Sequence, residues 1–461
     1  MSTHDGNPDR RVGAGVAAAP YDALFTDLYE LTMLQTYFAQ GMADQAVFSL
    51  FVRRLPARRN FLLACGLDTV LDYLEALRFT ADDIAYLRSL GHFSDAFLDW
   101  LRGFRFSGEV HAVHEGTPVF ANEPILEVIA PIAEAQLVET FVMNQVHLQT
   151  VLASKAARVV SAAQGRTVVD FGPRRMHGID AALKAARVFH IAGVDATSNV
   201  LAGKIYGVPV AGTMAHSLIQ AFDDELDAFR AFARLYPSTV LLVDTYDTLA
   251  GVWKVIQLAR ELGADFRVRA IRLDSGDLAE LAFGARQLLD DAGLHQVEIF
   301  ASGSLDEDAI AALVARGAPI TGFGVGTKMG VSADAPDLDI AYKLCEYAGR
   351  GRLKLSTGKP VLPGRKQVFR EEREGRAIRD VIARANDELE GRPLLQPVMR
   401  GGRRLPAGRV ELGEARDHAA AELGRLPEHV RAIAPADPPY PVEVSAALRA
   451  DQEEITRRLT S

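Results

Sequence analysis

The residues best suited to chemistry lie in the middle third of the chain, each just past a short apolar segment. His216, within Gly212–Ser217 (GTMAHS), is the first of them. An imidazole at such a position can act as a general base, a nucleophile or a metal ligand, or it can be a hydrogen-bonded structural histidine. Gly212, Thr213 and Ser217 flank it and offer open backbone and hydroxyl groups to an anion. His177 and His190 belong to other segments, so no histidines fall at metal-ligand spacing. A catalytic zinc in a three-residue protein cage is therefore not expected. His216 is left as a nucleophile or a base.

Two glycine-rich loops follow late apolar segments: Ala301–Ser304 (ASGS, with Ser302 and Gly303) and Gly322–Thr327 (GFGVGT, with Gly324, Gly326 and Thr327). Glycine lets a backbone approach a phosphate, and successive N–H groups cradle it. Left-handed turns alone explain many such loops, but two on adjacent late strands match the recurrent phosphate site of α/β barrels. Neither has Walker A spacing, which excludes a P-loop nucleotidase. Arg272–Asp277 (RLDSGD) places one guanidinium beside Asp274 and Asp277. Arginine suits bidentate capture of a carboxylate or phosphate, and the two acids could hold Mg²⁺. An Arg–Asp ion pair plus a helix cap would use the same residues. Arg174 and Arg175 add a cationic pair, and Asp244 and Asp247 add acidity or caps. Together these groups imply a phosphorylated, polyanionic substrate with Mg²⁺.

The elements that must position them are seven apolar segments, most followed by a helical pattern. They are Thr167–Asp170, Ile191–Val194, Val208–Ala211, Val240–Val243, Val268–Leu273, Val297–Phe300 and Ile320–Phe323. Alternating β and α units predict a parallel sheet, and useful residues at every strand end favour a closed or nearly closed barrel over an open doubly wound sheet. Before them, Leu24, Leu28, Leu31, Leu34 and Phe38 predict a helix starting near Thr26-Asp27, and Ala46–Val52 predicts a strand. Further helices to about Leu101, strands around Gly108–Val119 and Ile125–Ile129, and a long helix over Ala133–Ala163 follow. Beyond Tyr342, short strands are expected at Arg352–Leu355, Val361–Leu362 and Gln367–Phe369 within the basic stretch Gly351–Arg370. Residues 371–388 should be charged and exposed, and Val442–Thr460 a polar helix. The expected organisation is a flexible arm (1–20), an N-terminal α+β domain (21–145), an α/β barrel catalytic domain (146–345) and a C-terminal segment (346–461) packing against the N-terminal domain.

Composition narrows the class. At 461 residues with 48% hydrophobic and 24% charged residues, the chain resembles an ordinary globular protein of two or three domains. Its 60 acidic against 51 basic residues give a net charge of -9, which argues against general binding to nucleic acid or an anionic membrane. No apolar run is long enough to span a bilayer, and the first residues have no secretory core. Two cysteines, Cys65 and Cys345, exclude a disulfide scaffold or a multi-cysteine zinc ribbon and fit a reducing cytoplasm.

In sequence order, TDLYELTM (Thr26–Met33), DFGPRR (Asp170–Arg175), Ser198–Ser217, LLVDTYDT (Leu241–Thr248), IRLDSGDL (Ile271–Leu278), GFGVGT, Tyr342–Leu344 and PGRKQVFR (Pro363–Arg370) resemble the nicotinate phosphoribosyltransferase family. The resemblance runs from about Tyr21 to Met399. It implies the type II phosphoribosyltransferase fold: an irregular (β/α) barrel plus an α+β domain built from N- and C-terminal segments. It also implies a homodimer with shared active sites, ATP and phosphoribosyl pyrophosphate as co-substrates, Mg²⁺, and His216 as the histidine that ATP phosphorylates. Tyr29, Arg174, Thr213 and Arg272 match positions that hold the pyridine or its carboxylate, and Gly326 and Thr327 match the site of the 5′-phosphate. Ser302 and Gly303 fall at the ribose-binding strand end. Asp274 would position the metal or the ribose hydroxyls. The rival readings are a nicotinamide phosphoribosyltransferase, disfavoured by GVDATSN (Gly193–Asn199) and its SNVLAG continuation, a Schiff-base aldolase using Lys184 or Lys204, and a catalytically silent relative.

Overall fold

The computed structural model describes residues 22–355 and 361–461, so the arm expected over residues 1–20 and part of the basic stretch, residues 356–360, lie outside the described residues. Short apolar segments of the middle third build a six-stranded parallel sheet. Its strands are β1 (Thr167–Asp170), β2 (Ala196–Thr197), β3 (Val240–Leu242), β4 (Ala270–Leu273), β5 (Glu298–Ala301) and β6 (Gly322–Val325), in the spatial order β2-β1-β6-β5-β4-β3. Every residue of β4 and β6 is buried, as parallel strands covered by helices require. Helices Ile179–Ile191, Thr248–Leu262, Leu278–Asp291 and Glu307–Ala315 follow strands, so all strand carboxyl ends open on one rim.

Two of the seven expected strands differ. At Ile191–Val194 the helix runs on to Ile191, Gly193 turns at φ +105°, and the strand begins only at Ala196. A four-residue apolar run containing glycine cannot by itself separate a helix end from a strand. Val208–Ala211 forms no strand. It touches β2 through one bridge, Thr197 with Val210, with the Thr197 N–H donating to the Pro209 carbonyl and the Ala211 N–H to the Thr197 carbonyl. Pro209 has no N–H with which to extend a ladder. The sheet accordingly curls as half a barrel rather than closing, and His216 heads a short helix (His216–Gln220) instead of ending a third strand.

A seven-stranded antiparallel sheet lies beside it, and its central strands come from Gln45–Val52, Pro124–Pro131 and Glu109–Ala112. The flanking strands come from Ile340–Tyr347 and Arg350–Gly351 on one side and Gln396–Arg400 and Arg403–Arg404 on the other. Both ends of the chain thus contribute to one layer. The helix expected over Ala133–Ala163 is interrupted at Val138, giving Ile132–Leu137 and Glu139–Ala163. The second is buried on nearly all sides. Phe141, Val142 and Val146 join the core under the antiparallel sheet, while Leu152, Ala153 and Ala156 join the core of the parallel sheet. Its alanines let neighbouring backbones approach closely, and a helix apolar all round must lie inside.

The C-terminal third departs further from expectation. Arg352–Leu355 and Val361–Leu362 are not strands, whereas Lys366–Arg373 is an eight-residue strand paired with Arg376–Arg384. Residues 371–388 are therefore largely a hairpin, turning at Glu374 (φ +52°) and Gly375 (φ +75°). Two residues of positive φ give the turn whose twist matches paired strands. Charge hid the pattern because one of the inward residues, Asp380, is itself charged: it is buried with Arg370, 2.6 Å away. Val442–Val444 pairs in the same sheet, so the terminal helix begins at Ala446. In helix Leu28–Ala39, Leu31 and Leu34 are buried but Leu28 and Phe38 are exposed, so only part of the expected face packs inward.

Candidate active site

Strand ends and the loops after them converge around His216. Its Nδ1 lies 3.2 Å from Thr245 Oγ1, just beyond β3, and its Nε2 lies 3.8 Å from Asp274 Oδ2, just beyond β4. Asp274 is fixed on three sides. Its N–H donates to Asp244 Oδ2 (2.8 Å), its Oδ1 accepts from Ser302 Oγ (2.5 Å), and its carbonyl is packed against Gly303. Ser302 is buried, so its hydroxyl serves Asp274. Ser275 Oγ also donates to Asp244 Oδ2, at 2.7 Å.

Arg272 is the buried cation of the site. Its Nη2 donates to the Met214 carbonyl at 2.7 Å, and Thr213 Oγ1 approaches the same carbonyl at 3.3 Å. Its guanidinium carbon stands 5.8 Å from the centroid of the Phe171 ring. Its Nε is buried without a hydrogen-bond partner, and among the described residues it enters no ion pair. Burial holds its pKa below the usual arginine value, and Arg174 nearby acts in the same direction against the opposing pull of Asp274 and Asp244. Arginine stays protonated regardless, so this is a buried positive charge with donors to spare.

The expected glycine-rich loop Gly322–Thr327 is strand β6 itself as far as Val325, so only Gly326 and Thr327 lie beyond the strand. A Cβ on Gly324 would enter the Phe171 ring at 2.4 Å, so that glycine seats an aromatic side chain. Gly326 has only Phe171 and Gly172 backbone beside it, with a Cβ position 3.3 Å from the Phe171 carbonyl oxygen. Thr327 opens the helix Thr327–Gly330 and its Oγ1 accepts from Arg175 Nη1 at 3.2 Å, which joins the first rim loop to the last. Arg174 is exposed in the turn Pro173–Arg175 and donates to the Phe171 carbonyl at 3.3 Å.

Two expected members stand apart. Asp277 caps the helix Leu278–Asp291 by accepting from the Ala279 and Glu280 N–H groups, and it pairs with Arg316 at 3.2 Å. Those contacts hold its carboxylate low in pKa, so it is engaged as a cap rather than joined to Asp274. Tyr29 is exposed on helix Leu28–Ala39. Partial burial, with Glu139, Glu30 and Asp27 close by, raises its pKa, and none of those neighbours is on the rim. Sequence reasoning gave no role to Phe171 or Thr245 and read Asp244 only as added acidity or a cap. The available signal was their position just after β1 and β3, at the carboxyl ends of the strands.

A parallel sheet whose strand tips gather an imidazole, an unpaired guanidinium, hydrogen-bonded carboxylates and glycine loops defines an α/β enzyme for an anionic substrate. Residues 24–147 match the nicotinate phosphoribosyltransferase N-terminal domain, and residues 167–380 match the nicotinate phosphoribosyltransferase family. The chain is 58% identical over 423 residues to nicotinate phosphoribosyltransferase pncB2 of Mycobacterium tuberculosis, covering 92% of this chain and 91% of that one. It is 44% identical over 378 residues to the nicotinate phosphoribosyltransferase of Bacillus subtilis, covering 80% of this chain and 75% of the other. The crystal structure of human nicotinic acid phosphoribosyltransferase superposes with a TM-score of 0.81 at 29% identity, over 93% of this chain and 99% of the human one. The chain belongs to the nicotinate phosphoribosyltransferase family.

Proposed function

We propose that this protein transfers the phosphoribosyl group of phosphoribosyl pyrophosphate to nicotinate, giving nicotinate mononucleotide and pyrophosphate in NAD salvage, with ATP consumed through a phosphorylated His216. The supporting observation is Arg272: a buried guanidinium with an unspent N–H, set against the Phe171 ring, suits a flat aromatic carboxylate. Arg272 and Thr213 hold the carboxylate, Arg174 lies beside them, and Tyr29 closes the pocket. Gly326 and Thr327 take the 5′-phosphate, and Ser302 and Gly303 keep Asp274 toward the ribose.

In the transfer, the bond from ribose C1 to the pyrophosphate oxygen breaks and a bond from C1 to the pyridine nitrogen forms. That nitrogen already has a free lone pair, so no general base is needed. The protein supplies orientation and cationic groups for the departing charge. In the coupled reaction, an imidazole nitrogen of His216 attacks the γ-phosphorus of ATP, ADP leaves, and water later returns phosphate and free histidine. Thr245 at Nδ1 and Asp274 near Nε2 orient the ring.

Among the described residues no group of three or more His, Cys, Asp or Glu is arranged for a metal ion. Magnesium commonly needs only one or two carboxylates plus substrate phosphates. Asp244 fits that demand, being buried with Oδ1 unpartnered beside Asp274. Asp244 and Asp274, rather than Asp274 and Asp277, would hold Mg²⁺, which would supply charge neutralisation for the pyrophosphate.

The working assembly is a cytoplasmic homodimer in which the first helix of one subunit completes the rim of the other. Phe25, Leu28 and Tyr29 are exposed at that helix, and Ile179, Val200 and Val210 are exposed near the rim, which supports two apolar faces that cover each other. Among the described residues no helix is long and apolar enough to cross a membrane. Incubation with nicotinate, phosphoribosyl pyrophosphate and Mg²⁺, with and without ATP, and identification of the products tests the reading. Absence of nicotinate mononucleotide under both conditions overturns it.

A further inference from the structure

Among the described cations of the basic stretch that ends at Arg370, three are engaged structurally. Lys366 is buried with Nζ 3.1 Å from Glu127 Oε1, and Arg370 is buried against Asp380 and Glu422. The Arg352 guanidinium lies 5.9 Å from the Tyr347 ring centroid. Arg365 differs. It enters no ion pair among the described residues, and its Nε is buried without a hydrogen-bond partner. Its Nη2 stands 3.3 Å from His111 Nε2.

Arg365 and His111 line a cavity of about 330 Å³ at the open end of the hairpin Lys366–Arg373/Arg376–Arg384, with Asn386 and Gln396 also on its wall. The cavity shares no residue with the rim described above. Burial and the Arg365 charge hold His111 below the usual histidine range, so near neutral pH its ring accepts from Arg365 and adds no charge. Glu127 also lines the cavity, but its oxygens are taken by Ser49 Oγ at 2.6 Å and by the main-chain N and Nζ of Lys366. Glu109 lies 3.5 Å from His111 and 3.7 Å from Arg400. No carboxylate therefore satisfies Arg365. A buried N–H left unmet is costly, and an acceptor in the cavity would recover that cost.

We propose that this cavity is a second small-molecule site, which binds an oxyanion, either a carboxylate or a phosphate, on the Arg365 guanidinium. The planar fork donates to two oxygens of either group. Asn386 stands at the exposed edge, where its amide reaches the same anion.

Hydrogen exchange on the full-length protein, titrated with inorganic phosphate or with benzoate to ~10 mM, tests this in the range where weak single-ion sites fill. Expected is slowed exchange in peptides covering residues 362–370 and 384–397 with at least one probe, the effective probe identifying the source. Arg365→Gln should raise the midpoint at least ~10-fold, from loss of a charge-assisted bond. Asn386→Ala, at an exposed position, should raise it severalfold without risk to folding, and Thr327→Ala on the rim should leave it unchanged. The proposal is overturned by the absence of local protection with both probes, by a midpoint the Asn386→Ala change does not move, or by protection that vanishes in Thr327→Ala.

Discussion

Gly303 packs against the main chain of Asp274 so closely that a Cβ would stand 1.8 Å from the Asp274 carbonyl oxygen, and its φ of +89° lies where side chains are strained. The carboxylate nearest His216 is thus set by the absence of a side chain at the end of the neighbouring strand. Gly303→Ala should displace Asp274 and cut kcat/KM by ~100-fold or more, because sub-ångström placement governs such reactions. Gly293→Ala is the control: its φ is +75° but nothing lies within 4 Å of the new Cβ, so it should cost only backbone strain of ~1 kcal/mol and no activity. Steady-state kinetics and urea melts of both variants separate the two effects.

Arg272 reads the substrate carboxylate if its spare donors are used there. Arg272→Lys should raise the KM for nicotinate ~10–100-fold, since a point charge cannot replace a planar fork. Arg272→Ala should also erase the preference for nicotinate over nicotinamide. Retained preference in the alanine variant would assign recognition to another group.

Much of this arrangement was legible in the residues, and the failures have physical causes. Strands β1, β3, β4 and β5 were visible as buried apolar runs, β6 was visible but lies two residues later than expected, and the ends of β4, β5 and β6 showed the Arg272, Asp274 and glycine chemistry directly. The gap at Val208–Ala211 was hidden because apolar content reports burial, while Pro209 and pairing geometry decide whether a ladder forms. The pairing of Asp274 with Asp277 was drawn from spacing alone. Spacing could not show that Asp277 would be taken by two helix N–H groups and Arg316. The hairpin Lys366–Arg373/Arg376–Arg384 escaped notice because Arg370 and Asp380 neutralise each other inside, so charge did not mean exposure.

Burial pushes the Glu30 carboxyl up to about 7 from 4.5, against hydrogen bonds from Thr26 and Thr140 that favour the ionised form. The folded chain then binds more protons here than the unfolded chain between those pH values. Its contribution to stability is present below about 4.5 and lost as pH rises toward about 7. Relative to Glu30→Gln, the wild type should lose up to ~3 kcal/mol across that window. Urea midpoints measured for both proteins at several pH values check the sign, and parallel curves would rule the effect out.

The proposed sharing of each site between two subunits is open to a complementation test. Tyr29→Ala and His216→Ala should each be impaired as homodimers. After mixing and re-equilibration, half the dimers are mixed and each carries one intact site, so activity should return to ~25% of wild type. Activity that stays at the level of the separate variants would place Tyr29 and His216 of one subunit in the same site, with no sharing across the dimer.

The most direct measurement is phosphoryl transfer from γ-labelled ATP to the protein. The wild type should acquire acid-labile, base-stable label on His216, lost on adding nicotinate and phosphoribosyl pyrophosphate with Mg²⁺. His216→Ala should acquire none while keeping slow, ATP-independent formation of nicotinate mononucleotide. Undiminished label in His216→Ala, or ATP stimulation that survives the substitution, would contradict the account.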